Sequence, residues 1–225
     1  MSQERLDRVL EIVFDSLLPL WKGTIVYTIP ISVLSFALGL FFALFVALAG
    51  LSPNRLWRAP ARGYVWIIRC TPALVQLFII FYGLPSFGIL LSPFLSVVIS
   101  LTASEAAYSS EIMRASIQSI PAGQWKAGYS LGMSRSQTLF RVILPQAIRV
   151  CVPSFGNQFI ALFKTSSLAA LVTIPDLFGV AKLIAASTFE PMLLYMLAGA
   201  YYLTLCSALS IWQSRLEKKL GRYRT

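Results

Sequence analysis

Five long apolar stretches follow one another along the chain: Gly23 to Gly50, Tyr64 to Leu84, Pro93 to Met113, Val150 to Ile174 and Pro191 to Trp212. An α-helix crosses a bilayer core with about 20 mostly apolar residues. The pattern therefore predicts an all-α integral membrane fold with five transmembrane helices. Ahead of them, Leu6, Val9, Leu10, Val13 and Leu17 recur at helical spacing. That stripe fits an amphipathic helix over residues 1–22 lying on the membrane surface, and equally an ordinary packed helix. A signal peptide is not indicated, because Glu4, Asp7, Glu11 and Asp15 occupy the segment and no compact apolar run precedes a cleavage-like site.

Composition agrees with the pattern: 57% of the 225 residues are hydrophobic, 12% are charged, and the mean hydropathy is +0.72. The formal net charge of +10 becomes an orientation signal once the bases are placed. One set of alternate connections holds Arg55, Arg58 and Arg62, then Arg114, Lys126, Arg135, Arg141 and Arg149, then Arg215, Lys218, Lys219, Arg222 and Arg224. The positive-inside rule makes that face cytoplasmic. The opposite face has the nearly neutral N-terminus, an uncharged turn from Pro85 to Ser92, and a loop with Asp176, Lys182 and Glu190. The N-terminus is expected outside and the C-terminus inside, with residues 214–225 a basic cytoplasmic tail. Nucleic acid is not an expected partner. Histidine is absent, which removes imidazole metal ligands and histidine-assisted nucleophiles. Cys70, Cys151 and Cys206 are far apart in apolar stretches, so neither a disulfide framework nor a metal site is expected.

The cytoplasmic segment 114–149, AGQWKAGYSLGMSRSQTLFRVILPQAIR in its main part, has the grammar of two short helices joined at a corner. Pro121 suits a first helical turn. Gly132 suits the left-handed residue that ends a helix, and Ser134 with Gln137 forms a capping-box pattern for the next. Pro145 marks a kink or stop. Trp125, Gly128, Tyr129 and Gly132 fall at i, i+3, i+4 and i+7 and share one face. That face can be a grip for a partner or can pack back on the chain's own spans.

A glycine followed at a fixed interval by an aliphatic-x-Leu-Pro, here Gly132 and Val142-Ile143-Leu144-Pro145, resembles the EAA motif of ABC importer permeases. Ser119-Ile-Pro-Ala-Gly-Gln-Trp125 and Leu144-Pro-Gln-Ala-Ile-Arg149 are similar to the polar amino-acid branch of that family. So are Gly23-Thr-Ile-Val-Tyr-Thr28, Arg69-Cys-Thr-Pro-Ala-Leu-Val-Gln-Leu-Phe78, Glu111-Ile-Met-Arg114 and Lys164-Thr-Ser-Ser-Leu168. The stretches Tyr64-Val-Trp-Ile-Ile-Arg69 and Phe81-Tyr-Gly-Leu-Pro85 look most like the cystine or polar amino-acid permeases. Lys126-Ala127-Gly128 stands where the family pattern has Glu-Ala-Ala, a charge reversal.

The resemblance implies a type I transmembrane domain over residues 23–213 in the bacterial inner membrane, and a permease subunit of an ATP-driven amino-acid importer. Its implied partners are a second permease, as homodimer or heterodimer, two cytoplasmic ABC ATPases, an external solute-binding protein and the amino acid. Residues 121–133 would be the coupling helix, with Gln124, Trp125, Lys126, Ala127, Gly128, Tyr129, Gly132 and Pro145 as the ATPase-coupling set. A gradient-driven secondary transporter acting as a dimer explains the spans but not the loop. No phosphate-cradling loop or acidic metal cluster is present. The chain is therefore expected not to be an enzyme and to hold no cofactor or metal, with ATP and Mg on the partner ATPase.

Charges at membrane depth cost about 2.5 to 3.5 kcal/mol on insertion scales, so those inside the spans need partners or water. Arg69, near the basic end of the second span, can snorkel or hold helix-end carbonyls. Glu105 can share a face with Thr102, Tyr108 and Ser109, and could receive a substrate ammonium group or pair with Arg69 or Lys164. Lys164, with Ser166 and Ser167 after it, marks either a cavity wall or a helix-packing cluster. The expected substrate path comprises Arg69, Glu105, Tyr108, Lys164, Ser166 and Ser167.

Overall fold

The computed structural model describes residues 3–221 of the backbone and 3–218 of the side chains. Among the described residues ten α-helices and no strand are found. They are α1 (Gln3–Gly23), α2 (Ile29–Leu51), α3 (Arg55–Cys70), α4 (Ala73–Phe78), α5 (Pro93–Gln118), α6 (Ala122–Ser130), α7 (Arg135–Thr138), α8 (Leu144–Thr165), α9 (Leu177–Thr188) and α10 (Pro191–Gly221). Lys219, Arg222 and Arg224 of the expected basic tail lie outside the described side chains.

Among the described residues three helical paths are long and apolar enough to cross a membrane, Gln3–Leu51, Arg135–Val172 and Pro191–Lys218. A fourth counts if the bent pair Arg55–Cys70 and Ala73–Phe87 is one broken span. The five spans expected from hydropathy are thus met only in part, and two departures have clear causes. The second stretch is not one helix, because Thr71 precedes Pro72 and is driven into extended backbone (φ −111°, ψ 141°). The third stretch is a 26-residue helix whose apolarity falls short. Its Ser96, Ser100, Glu105, Ser109 and Ser110 are each at most 2% exposed. Polar residues turned inward do not meet lipid, whereas hydropathy counts them as if they did.

Two further readings change. The loop expected around Asp176, Lys182 and Glu190 contains α9, whose N-cap is Asp176. The second short helix of the 114–149 segment is not separate: α7 continues through a π-helical stretch, Leu139–Ile143, into α8. Pro145 lies in the first turn of α8, where that stretch returns to α-helix, and does not stop the helical path.

The described residues form two compact units. The first comprises residues 3–36, 73–101 and 160–209. In it α1 leads through a π turn, Thr24–Thr28, into α2. The Thr28 hydroxyl accepts the Leu177 N–H at 3.1 Å, satisfying an orphan donor at the start of α9. At Gly23 a Cβ would come within 2.9 Å of the Pro175 carbonyl and of Val180 Cγ2, so only glycine permits that approach of α1 to α9. The Tyr201 hydroxyl donates to the Leu17 carbonyl at 2.8 Å, and Arg8 to the Thr188 carbonyl at 3.2 Å. The core of this unit gathers Ile31, Leu77, Val97, Val98, Leu101, Leu162 and Val172.

Asp176, in the connection between Val172 and α9, is fully buried. Its Oδ1 accepts the Gly179 N–H at 2.8 Å, while its Oδ2 has no partner. Burial, opposed by backbone hydrogen bonds led by that from Gly179, pushes its pKa up to about 7. The folded state therefore keeps a proton that the unfolded state releases near pH 4. Stability from this group is greatest below about pH 4 and declines as pH rises to about 7. Asp176→Asn keeps the cap and is expected to flatten that slope in a thermal-unfolding series in detergent from pH 5 to 8. An unchanged slope would refute the assignment.

The second unit comprises residues 37–72, 102–159 and 210–221. Ile117, Ile120, Ile143 and Ala147 form its buried cluster, with Trp125 and Leu139 packed against it. The Tyr64 hydroxyl on α3 donates to the Ala103 carbonyl on α5. Gln213 of α10 donates to the Pro153 carbonyl at 3.2 Å, against Gly156, where any Cβ would meet its side chain at 2.6 Å.

Candidate functional site

The α6–α7 corner is built by backbone chemistry that the local sequence dictates. Pro121 is the N-cap of α6 rather than a residue of its first turn. At the other end Gly132 is left-handed (φ +74°). The Met133 N–H donates to the Gly128 carbonyl at 3.1 Å and the Gly132 N–H to the Tyr129 carbonyl at 2.9 Å. These two bonds are the Schellman closure of a helix C-terminus. Ser134 and Gln137 then exchange side-chain and backbone hydrogen bonds in a complete capping box that starts α7.

The four residues read as one face divide between two environments. Trp125 is half-buried against the Ile117–Ile143 cluster, and Gly128 is fully enclosed against Thr138. Tyr129 is 47% exposed, its ring centroid 6.4 Å from that of Trp125, and Leu131 is 78% exposed. Gln124, Lys126, Ala127, Gly132 and Pro145 are exposed as well. Gln124 also accepts a hydrogen bond from Gln146 on α8 at 3.2 Å. The outward surface of α6 is thus Gln124, Lys126, Ala127 and Tyr129, with Trp125 serving as its anchor. Thr138, which sets how closely α6 lies, was not singled out from the sequence; a glycine facing a β-branched residue gives no local signal.

The polar residues at depth separate into three settings. Glu105 is 1% exposed. It accepts a hydrogen bond from Ser109 one turn on, and one from Gln158 of α8 at 3.2 Å. Arg69 instead lies with its guanidinium 5.4 Å from the centre of the Tyr108 ring, so the Glu105–Arg69 pair considered from the sequence does not form. Arg69 and Tyr108 share a cavity of about 600 Å³ with Arg62, Trp66, Glu111 and Arg114. Glu111 and Arg114 form a two-pronged ion pair one turn apart on α5. Lys164 is exposed near the end of α8, the buried Ser166 donates back to the Phe163 carbonyl, and Ser167 to that of Lys164, each at 2.8 Å. Sequence reasoning missed Gln158, because a pairing 53 residues away leaves no local trace.

Helical paths long and apolar enough to cross a membrane define the class as helical integral membrane proteins. The chain belongs to the family described as binding-protein-dependent transport system inner membrane component, whose profile matches residues 35–222. It is 47% identical to the L-cystine transport system permease protein TcyB of Bacillus subtilis (strain 168) over 95% of this chain and 92% of that protein. It is 41% identical to the probable amino-acid ABC transporter permease protein YckA of the same organism, over 88% and 87%. Its fold matches the crystal structure of an amino acid ABC transporter with histidines at a TM-score of 0.85 and 30% identity, covering 97% of this chain and 99% of that one. A methionine ABC transporter, MetNI, in an inward-facing conformation shares the fold at a TM-score of 0.66 and 16% identity.

Proposed function

We propose that this chain is the membrane-spanning subunit of an ATP-driven amino-acid importer, with cystine or a related polar amino acid as cargo. The observation that carries this reading is the 47% identity to a cystine permease across almost the whole of both chains. In this reading two permease subunits enclose the path, two ABC ATPases sit on the cytoplasmic side, and an external binding protein delivers the substrate. ATP and Mg act on the ATPases. The permease supplies a route and a lever.

The lever is the α6–α7 corner. A short helix fixed by Schellman closure and by a capping box moves as a unit when a partner pushes its exposed residues. Trp125 and Gly128 then transmit that push to α5 and α8 through the Ile117–Ile143 cluster and Thr138. Of the substrate-path residues, Lys164 is exposed and offers an ammonium group to a carboxylate, with Ser166 and Ser167 shaping the backbone after it. Glu105 is instead assigned as an internal pin, since both of its oxygens are already engaged. The assembly is placed in the bacterial inner membrane with the N-terminus outside and the arginine-rich connections inside.

Proteoliposomes holding this chain with the ATPase and binding protein of its importer are expected to accumulate labelled cystine only when ATP is supplied on the ATPase face. Uptake driven by a proton or sodium gradient without the ATPase would replace this reading with that of a secondary transporter. Lys126, exposed on α6, is proposed to meet an acidic or neutral group of the ATPase. Lys126→Glu is expected to lower copurification of the two subunits; unchanged copurification would remove Lys126 from the interface.

A further inference from the structure

The 16 residues of α3, RLWRAPARGYVWIIRC, contain four arginines and no acid. Arg55, Arg58, Arg62 and Arg69 are spaced by three, four and seven residues, which puts all four on one stripe of the helix. No residue of α3 is buried. On the other side Leu56, Trp57 and Ile67 are 80%, 67% and 54% exposed. Guanidinium groups along one face and Trp, Leu and Ile along the other are the chemistry of a helix at the boundary of lipid and water.

The arginine stripe meets the 600 Å³ cavity already described, with Arg62, Trp66 and Arg69 facing Tyr108, Glu111 and Arg114 of α5. Three arginines stand there against one glutamate, and Glu111 is already engaged by both prongs of Arg114. The cavity thus carries an excess of two positive charges. The Tyr108 ring steadies Arg69 from its face, a contact that leaves the guanidinium N–H fork in its plane available. Paired guanidinium forks beside a Trp make a receptor for a phosphate oxyanion. The apolar wall of the same cavity, Val46 and Ala47 of α2 with Val65 of α3, then decides the source, because it gives acyl chains somewhere to lie.

We propose that this cavity binds the phosphate of an anionic phospholipid such as phosphatidylglycerol or cardiolipin, held by Arg62 and Arg69. The inference stands apart from the transport reading and survives its failure. A bound headgroup would fix α3 beside α5, reinforcing the bond from Tyr64 to the Ala103 carbonyl, on the side of the Thr71–Pro72 break where the helix has no apolar core of its own.

Native mass spectrometry of the full-length chain in mild detergent tests this, titrated separately with phosphatidylglycerol, cardiolipin, phosphatidylcholine and inorganic phosphate. Retention of the anionic lipids and not of phosphatidylcholine is expected. Arg62→Gln with Arg69→Gln should lower it about 25-fold, at about fivefold for each arginine near an anionic surface. Arg55→Gln with Arg58→Gln removes the same charge from the same stripe outside the cavity and should leave retention unchanged. If the glutamine pair does not fold, Arg62→Lys with Arg69→Lys keeps the charge but loses the forks, and lower retention is again expected. Equal retention of phosphatidylcholine, equal loss in the Arg55/Arg58 pair, unchanged retention in either cavity pair, or displacement of the lipid by inorganic phosphate would each overturn the proposal.

Discussion

Replacing Gly128 by alanine is expected to lower coupled transport by roughly tenfold or more while leaving the spans inserted. A Cβ at that position would lie 2.5 Å from Thr138 Cγ2 and 2.8 Å from its Oγ1. Thr138 cannot yield cheaply. It is fully buried, its β-branched side chain has few rotamers, and its hydroxyl donates to the Ser134 carbonyl at 3.0 Å. Overpacking of this kind costs about 1–3 kcal/mol. Spent on displacing α6 from α7, the same range shifts a two-state equilibrium by about 5- to 150-fold. Transport in the reconstituted complex should therefore fall by roughly tenfold or more, and the 122–138 segment should become protease-sensitive. Thr138→Ala removes both offending atoms, so the double variant is expected to recover most of the lost activity. Full transport by Gly128→Ala, or no recovery in the double variant, would show that the corner is not the lever.

The corner was largely legible because its rules are local. A left-handed glycine, a capping box and a proline at the helix entry each act within a few residues, and Gly132, Ser134 and Gln137 take those roles in the structure. What the sequence left open was which face of α6 turns inward, since Trp125, Gly128, Tyr129 and Gly132 are compatible with either answer until Thr138 is set against Gly128. The spans show the same division. Apolar runs identify helices, but α5 conceals its serines and Glu105 inside the protein, and the Thr71–Pro72 break falls inside an apolar stretch. In α9 the signal was present: Asp176 stands immediately before Leu177-Phe-Gly-Val-Ala, an N-cap followed by an apolar run. It was overshadowed by the charges that made the segment read as a loop. The cavity under α3 needed the fold, because Arg62 and Arg69 meet Glu111 and Arg114 across more than 40 positions of sequence.

Gly39→Ala is expected to be the most damaging single change in the membrane part of the second unit. Its Cβ would sit 2.4 Å from Glu105 Cγ and 2.6 Å from Glu105 Cβ, where α2 and α5 touch through the absence of a side chain. Glu105 is pinned there by Ser109 and Gln158, so its rotation away would strand both donors, at about 1–3 kcal/mol for a buried group left unpaired. Glu105→Ala should give Gly39→Ala little relief, because it removes Cγ but leaves the Cβ at 2.6 Å. Glu105→Leu alone should lower thermal stability by stranding the same donors. Glu105→Gln should come near the wild type, since its carbonyl oxygen still accepts from Ser109 and a turned Gln158 amide can accept from its NH2. Thermal unfolding in detergent, run beside uptake, separates the two roles the sequence allowed for this carboxylate. A pin predicts that stability and uptake fall together in the order Gln, Leu and then Gly39→Ala. A Glu105→Gln protein that unfolds like the wild type yet loses uptake would instead make Glu105 a contact for the substrate's ammonium group, because the amide preserves the shape and hydrogen bonds of the carboxylate and removes only its charge.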